Sequence, residues 1–188
     1  MRPADDLELK GAASDVGEYI RLVFGPFLGP TGATRLYISP DEAAEPGFLA
    51  SGPRDLDDRS SGSVDCVLAN RMLHLVPDLV AVVGDIHRVL KADGTLCIVS
   101  PYGSSDDAWS DPRTRRALTE HTWAAFNGEH VGIPFTFEGV HLNLVPAHDL
   151  QLGADGIVGR QAELQVKKRF LRNCIREMHV VLKKVERA

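Results

Sequence analysis

The sequence has few aromatic residues, 6%, and three cysteines, Cys66, Cys97 and Cys174, without a CxxC pair. An odd number at wide spacing excludes a disulfide framework and the common zinc-ligand patterns. Cys66 and Cys97 lie inside apolar runs, where a thiol acts as a small hydrophobe. Basic charge is not in excess: 21 Lys and Arg stand against 26 Asp and Glu, a net charge of -5. No broad positive field is therefore available for nucleic acid or an anionic membrane, and neither is an expected partner. No run approaches the ~20 apolar residues of a membrane span, and the acidic start MRPADDLELKGAASD lacks the apolar stretch of a secretory signal, so a cytoplasmic protein is expected. What remains is a globular composition, 44% hydrophobic and 25% charged over 188 residues, enough for one domain spanning 1–188.

Along the chain, Glu18 to Phe24 reads as a first strand, stopped by Gly25-Pro26. The breaker-rich loop Gly25 to Gly32 leaves no room for a long helix. Thr34 to Ser39 reads as a second strand and Gly47 to Ala50 as a weaker third. Val64 to Ala69 is a short apolar run. Asp78 to Lys91 carries Leu79, Val82, Val83, Ile86, Val89 and Leu90 at helical spacing, with Asp78 at the start. Lys91-Ala-Asp-Gly94 is a stop, and Thr95 to Ser100 is a uniformly apolar strand of the kind buried on both faces. Strand, helix and strand make a βαβ unit, which implies a parallel sheet covered by helices. A short helix is expected near Thr119 or Thr122, and antiparallel edge strands from Phe135 to Val145. A long amphipathic helix is expected from Ile157 to Val185, within a C-terminal part of 155–188, with Leu164, Leu171, Ile175, Met178, Leu182 and Val185 as its stripe. The parts are thus a core at 16–101, loops and edge strands at 102–150, and that helix.

The segment Ser63-Val-Asp-Cys-Val-Leu-Ala-Asn-Arg-Met-Leu-His-Leu-Val-Pro-Asp-Leu79, followed by Ile86-His-Arg-Val-Leu-Lys-Ala-Asp-Gly-Thr-Leu96, resembles the fourth-strand to fifth-strand unit of class I methyltransferases that use S-adenosylmethionine. The resemblance covers residues 63 to 101 closely and the rest of the chain loosely. It implies an α/β, Rossmann-like methyltransferase sheet, mainly parallel, with antiparallel strands near the C-terminus and the long C-terminal helix.

It also implies where the cofactor would sit, and the chain departs at each place. Where the family has a Gly-rich turn after its first strand, this sequence has Phe24-Gly25-Pro26, and proline lacks the N–H. Arg35-Leu-Tyr-Ile-Ser-Pro40 looks like the family's Leu-Asp-Ile-Ser-Pro, with Tyr37 in place of the carboxylate that binds the ribose. The usual Gly-Asp pair reads Ser51-Gly52, leaving Asp55 and Leu56 near the adenine. Gly25, Tyr37, Asp55, Leu56 and Asn70 are therefore the cofactor candidates, and S-adenosylmethionine is expected to bind weakly or not at all.

Among the seven histidines, His121, His130, His141 and His148 with Asp106 and Asp107 show no metal-binding spacing, and no metal is expected. His74 follows the fourth strand at the carboxyl edge of the sheet, where open α/β folds place ligands, and is the candidate general base. Asp107 is the second catalytic candidate. Arg71, Tyr102, Asp106 and Trp109 are candidate substrate contacts on the walls of the cleft. Three functions remain open: a methyltransferase-fold protein acting on a small organic molecule in specialised biosynthesis without methyl transfer, an active small-molecule methyltransferase, and a non-catalytic partner subunit. A homodimer or a partner enzyme docking through the C-terminal helix is the expected assembly.

Overall fold

The computed structural model describes residues 16–40, 47–128, 130–147, 150, 152–153 and 156–186. Six strands form one sheet: β1 Arg35–Ile38, β2 Leu49–Ala50, β3 Val64–Asn70, β4 Leu90–Pro101, β5 Thr136–Pro146 and β6 Ile175–Val185. Their order across the sheet is β2-β1-β3-β4-β6-β5. The first four are parallel, and β6 runs antiparallel to both β4 and β5. The helices are α1 Val16–Phe24, α2 Leu79–Val89, α3 Asp107–Ser110, α4 Glu120–Ala124 and α5 Gly156–Lys167. No helix among the described residues is long and apolar enough to cross a membrane.

Alternation within the strands divides the interior between the two faces of the sheet. Leu36, Ile38, Val67, Ala69, Leu96 and Ile98 face the side covered by α2, α4 and α5, whereas Tyr37, Cys66, Leu68, Cys97 and Val99 face α1. Helix α2 forms as its periodicity demands. Asp78 accepts a hydrogen bond from Ala81 N at 2.9 Å as N-cap, and Leu79, Val83, Ile86 and Val89 point inward. The guanidinium of Arg88 then ties α2 to the carbonyls of Leu56 and Arg59, both at 2.6 Å.

Three expectations are corrected. Glu18–Phe24 is helix, not strand: a strand would have put Ile20, Leu22 and Phe24 on one face, but Ile20 and Phe24 are buried and Leu22 is 50% exposed. The stop at Lys91–Gly94 is a bulge inside β4, where pairing with β3 jumps from Val64–Leu90 to Cys66–Thr95 and Asp93 takes φ 61°. The long C-terminal helix ends at Lys167, and Ile175–Val185 is the strand β6 instead. Its residues from Met178 to Leu182 are all buried, because the strand lies between β4 and β5 with both faces covered. A run buried on both faces contains positions three and four apart as well as alternating ones, so Ile175, Met178 and Leu182 imitate a helical stripe, which the exposed Leu171 before the strand extends. The β-branched Ile175, Val180, Val181 and Val185 favour the strand. As expected, only a single 3-10 turn, Gly25–Phe27, follows Phe24 before β1.

Candidate functional site

In the order β2-β1-β3-β4 the chain leaves β1 toward one edge and leaves β3 toward the other, so the two connections diverge between β1 and β3. Open α/β sheets take their ligands outside the carboxyl ends of the strands at this reversal. Here Asn70 Nδ2 donates to Tyr37 Oη at 2.7 Å, joining the ends of β3 and β1. Tyr37 is 5% exposed and meets Phe48 edge to face at 6.2 Å. Beside this bridge lies a cleft of about 740 Å³ between the turn after β2 and helix α2, whose walls include Tyr37, Ser51, Asp55, Val76, Pro77 and Asp85.

The polar groups of the cleft are partly spent on its own frame. Asp55 Oδ2 accepts from Gly52 N at 2.6 Å, and Ser51 Oγ donates to the Gly52 carbonyl at 3.3 Å. Pro40, which follows β1, has no N–H to offer.

Arg71 leaves β3 with φ 49°, its amide bonded to the Val99 carbonyl at 2.9 Å. Its Nε and Nη2 both donate to Glu177 Oε2, at 2.9 and 2.7 Å. His179 Nε2 donates to Glu177 Oε1 at 2.8 Å, and Asn143 Nδ2 approaches His179 Nδ1 at 3.5 Å. Gln161 Nε2 completes the row by donating to Asn143 Oδ1 at 3.1 Å. Burial pushes the Glu177 carboxyl upward, but the bonds and charge of His179 and Arg71 outweigh it and bring the pKa to about 2. A wire of hydrogen bonds thus runs from the carboxyl edge to α5.

His74 lies beneath the segment that follows α3. Its carbonyl accepts from Arg115 N at 3.0 Å, and its ring Nδ1 is buried with no partner among the described residues. Burial lowers its pKa, and Arg71 and Arg113 add to the effect while Asp111 opposes it, so the ring is neutral at pH 7. Asp111 is itself held to about 2 by the hydrogen bonds of Arg113.

The structure therefore brings Tyr37 and Asn70 into contact, lines the cleft with Tyr37 and Asp55, and sets the charge of Arg71 beside His74. Other candidates lie elsewhere. Gly25 begins a turn at the opposite, amino edge, where Phe27 O and Leu28 O accept from Thr95 Oγ1 and Arg35 Nε, each at 2.7 Å. Leu56 is fully buried in the core. Tyr102 donates to Glu120 Oε2 at 2.9 Å, and burial with that carboxylate raises its pKa. Asp106 and Asp107 are exposed, and Trp109 is 54% exposed with Nε1 bonded to Gly103 O. His148 lies outside the described residues, and among those described no group of three metal-binding side chains stands together. Sequence reasoning missed Glu177 and His179 because it put them on a helix. Acidic and imidazole side chains two apart, inside the otherwise apolar Ile175 to Leu182, were the available signal.

Comparison with known proteins agrees with this architecture. Residues 39–98, from the end of β1 through most of β4, match the family model described as a methyltransferase domain. A S-adenosylmethionine-dependent methyltransferase from Archaeoglobus fulgidus superimposes with a TM-score of 0.62 at 14% identity, covering 94% of this chain and 96% of that one. A methyltransferase from Haloferax volcanii, solved in complex with the Trm112 methyltransferase activator, gives 0.55 at 14% identity over 92% and 94%. The [4+2]-cyclase SpnF gives 0.56 at 12% identity over 89% and 80%. A search of curated protein sequences finds no match.

Proposed function

We propose that this chain, which belongs to the class I S-adenosylmethionine-dependent methyltransferase superfamily, holds a small organic molecule at the carboxyl edge of its sheet and acts on it without methyl transfer. The observation that carries this reading is the Asn70–Tyr37 bridge of 2.7 Å across the point where the connections diverge. A nucleoside sugar is held by a bidentate carboxylate at the end of a neighbouring strand in this class of sheet. Here β2 is followed by Ser51, a single hydroxyl already donating to a carbonyl, and the Asp55 carboxylate closes its own turn. The engaged Ser51 hydroxyl and Asp55 carboxylate support a reading in which S-adenosylmethionine is not the ligand. We assign His74, whose pKa burial lowers, as the proton acceptor, and Arg71, fixed by Glu177, as the group orienting a polar substituent. That the [4+2]-cyclase shares the fold supports a reading in which the scaffold serves other chemistry.

A second reading, an active methyltransferase, draws on the size of the cleft and on Asp55, Asp57 and Asp85 in its walls, since carboxylates suit a cationic cofactor. Calorimetric titration with S-adenosylmethionine and S-adenosylhomocysteine separates the two. The first reading expects no saturable heat at micromolar protein. Low-micromolar affinity for either compound would overturn it in favour of the second. Assembly through the C-terminal region now rests on Val166, Phe170 and Leu171, which are 59%, 81% and 47% exposed. A dimer or partner contact there is expected to be lost in Leu171→Glu, read by light scattering.

A further inference from the structure

The two edges of the sheet are unlike. Strand β2 ends one edge with two residues, Leu49–Ala50, whereas β5 ends the other with eleven, Thr136–Pro146. A long edge presents unpaired N–H and C=O groups and invites another strand. Along an antiparallel strand these groups point alternately toward the paired neighbour and away from it. Phe137 and Leu144 mark outward positions on β5. Phe137 N donates to Phe126 O at 2.8 Å, Leu144 N donates to Gln161 Oε1 at 3.3 Å, and Leu144 O accepts from Gln161 Nε2 at 3.0 Å. Followed along the pairing with β6, the outward positions between them are Gly139 and Leu142, opposite Leu182 and Val180. Among the described residues nothing bonds the outward groups of these two. Gly139 is exposed, and Val140 and Leu142 are 46% and 43% exposed.

The spacing selects the occupant. In a regular strand outward positions recur every two residues, but the irregularity between Gly139 and His141 sets Gly139 and Leu142 three apart. A regular strand laid along this edge meets one of the two and misses the other. An antiparallel second copy of β5 carries the same interval. Gly139 then faces Leu142 of the second copy, Leu142 faces its Gly139, and the two-fold axis passes between Val140 and His141. The same register sets Glu138 opposite Asn143 of the second copy and Val140 opposite its His141, so no like charges meet.

We propose that two copies of this chain pair through the β5 edge, each Gly139 exchanging backbone hydrogen bonds with Leu142 of the other across a two-fold axis, so that the sheet runs on through both. The pairing covers Val140 and Leu142. Phe137 and Leu144, already engaged at either end, confine it to this interval, and so small a contact forms a weak, reversible dimer. It is separate from the cleft and from the surface of Val166, Phe170 and Leu171, and rests on neither.

The test uses the full chain carrying Leu171→Glu, which disables the other surface and leaves the β5 edge alone. Light scattering is expected to show the mass rising reversibly from one chain toward two between roughly 10 μM and 1 mM, as for a small interface. Amide hydrogen exchange should slow at Gly139 and Leu142 as the protein is concentrated, and stay constant at Leu144, whose N–H is already bonded. Val140→Lys sets a charge beside the axis and should weaken association about tenfold or more, as lysines on an edge do. Val131→Lys, at a residue 93% exposed and outside the strand, should leave it unchanged. Gly139→Pro removes an outward N–H without touching the ladder to β6, and should weaken association too. The proposal is overturned if the chain stays monomeric over the whole range, if Val140→Lys associates as its parent does, or if Gly139 and Leu142 exchange equally fast in monomer and dimer. A monomer in which those amides slow only when a synthetic peptide of alternating valine and threonine is added would give the edge to a peptide partner, and would likewise overturn the second copy as its occupant. Should Gly139→Pro fail to fold, Val140→Lys and the exchange rates still decide.

Discussion

The unit β3-α2-β4 and the unit β5-α5-β6 use similar apolar residues and reach different ends. In the first, a helix joins parallel strands and local chemistry marks the elements: Asp78 caps α2, and Asp93 at φ 61° forms the bulge near the start of β4. In the second, α5 gives way at Lys167 to a turn with Asn173 at φ 55°, and the strand that follows enters the slot between β4 and β5. The first unit is written in local signals, whereas the second is decided by the vacancy its neighbours leave in the sheet.

The sharpest way to break this contrast is a charge in β6. Met178 is fully buried, paired with Ser100 on one side and Leu144 on the other. An unpaired buried charge costs about 3–5 kcal/mol or more, against a total stability of roughly 5–15 kcal/mol. Met178→Glu is expected to abolish cooperative thermal unfolding followed by circular dichroism, whereas Leu171→Glu, on a surface, changes stability by less than about 0.5 kcal/mol. If both variants melt like the parent, Ile175–Val185 is not a central strand and the distinction between the two units collapses.

The next effect is electrostatic and again resides in β6. The Glu177 carboxyl titrates at about 2 instead of its ordinary 4.5. A depressed folded pKa stabilises the protein above the unfolded value, and the contribution is lost as pH falls from about 4.5 to about 2. The gap corresponds to roughly 3 kcal/mol at 1.36 kcal/mol per pKa unit. Denaturant titrations from pH 7 downward should therefore show stability falling through that window. Glu177→Gln should be less stable at pH 7, because Arg71 loses its counter-ion, and should show a flatter acid profile. A parallel fall in both proteins would mean that other carboxylates dominate and that the wire to His179 contributes little.

Legibility followed the same division. Strand β3, helix α2 and the apolar part of β4 stood in the sequence because burial on both faces, a 3.6-residue stripe and turn residues each left their own mark. The fold class followed from them. Glu18–Phe24 was misread because seven residues allow both periods, and only the exposure of Leu22 separates them. The pairing of Arg71 with Glu177 spans 106 residues of sequence, and neither residue signals the other. The Tyr37–Asn70 contact was half legible: both residues stood out, but their contact depends on β1 lying directly beside β3, which no local pattern encodes.

The smallest expected effect sharpens the comparison from the other side, where stability is local. Asp78 Oδ1 accepts from Ala81 N at 2.9 Å and caps α2. Removing such a cap costs about 1 kcal/mol, which for a chain of this length lowers the melting temperature by about 2–4 °C. Asp78→Ala is expected to do that, and Asp78→Asn, which keeps an acceptor oxygen, to remain near the parent. Helix α2 supplies Val82 and Asp85 to the cleft, so fraying of its first turn should also loosen one wall of the site. Amide hydrogen exchange gives the local readout: the first turn of α2 should exchange faster in Asp78→Ala, while the amides of β6, held between β4 and β5, should exchange as in the parent. Faster exchange spread equally over α2 and β6 would show that the two units open together, and the contrast between a locally specified unit and one fixed by its slot would not extend to their energetics.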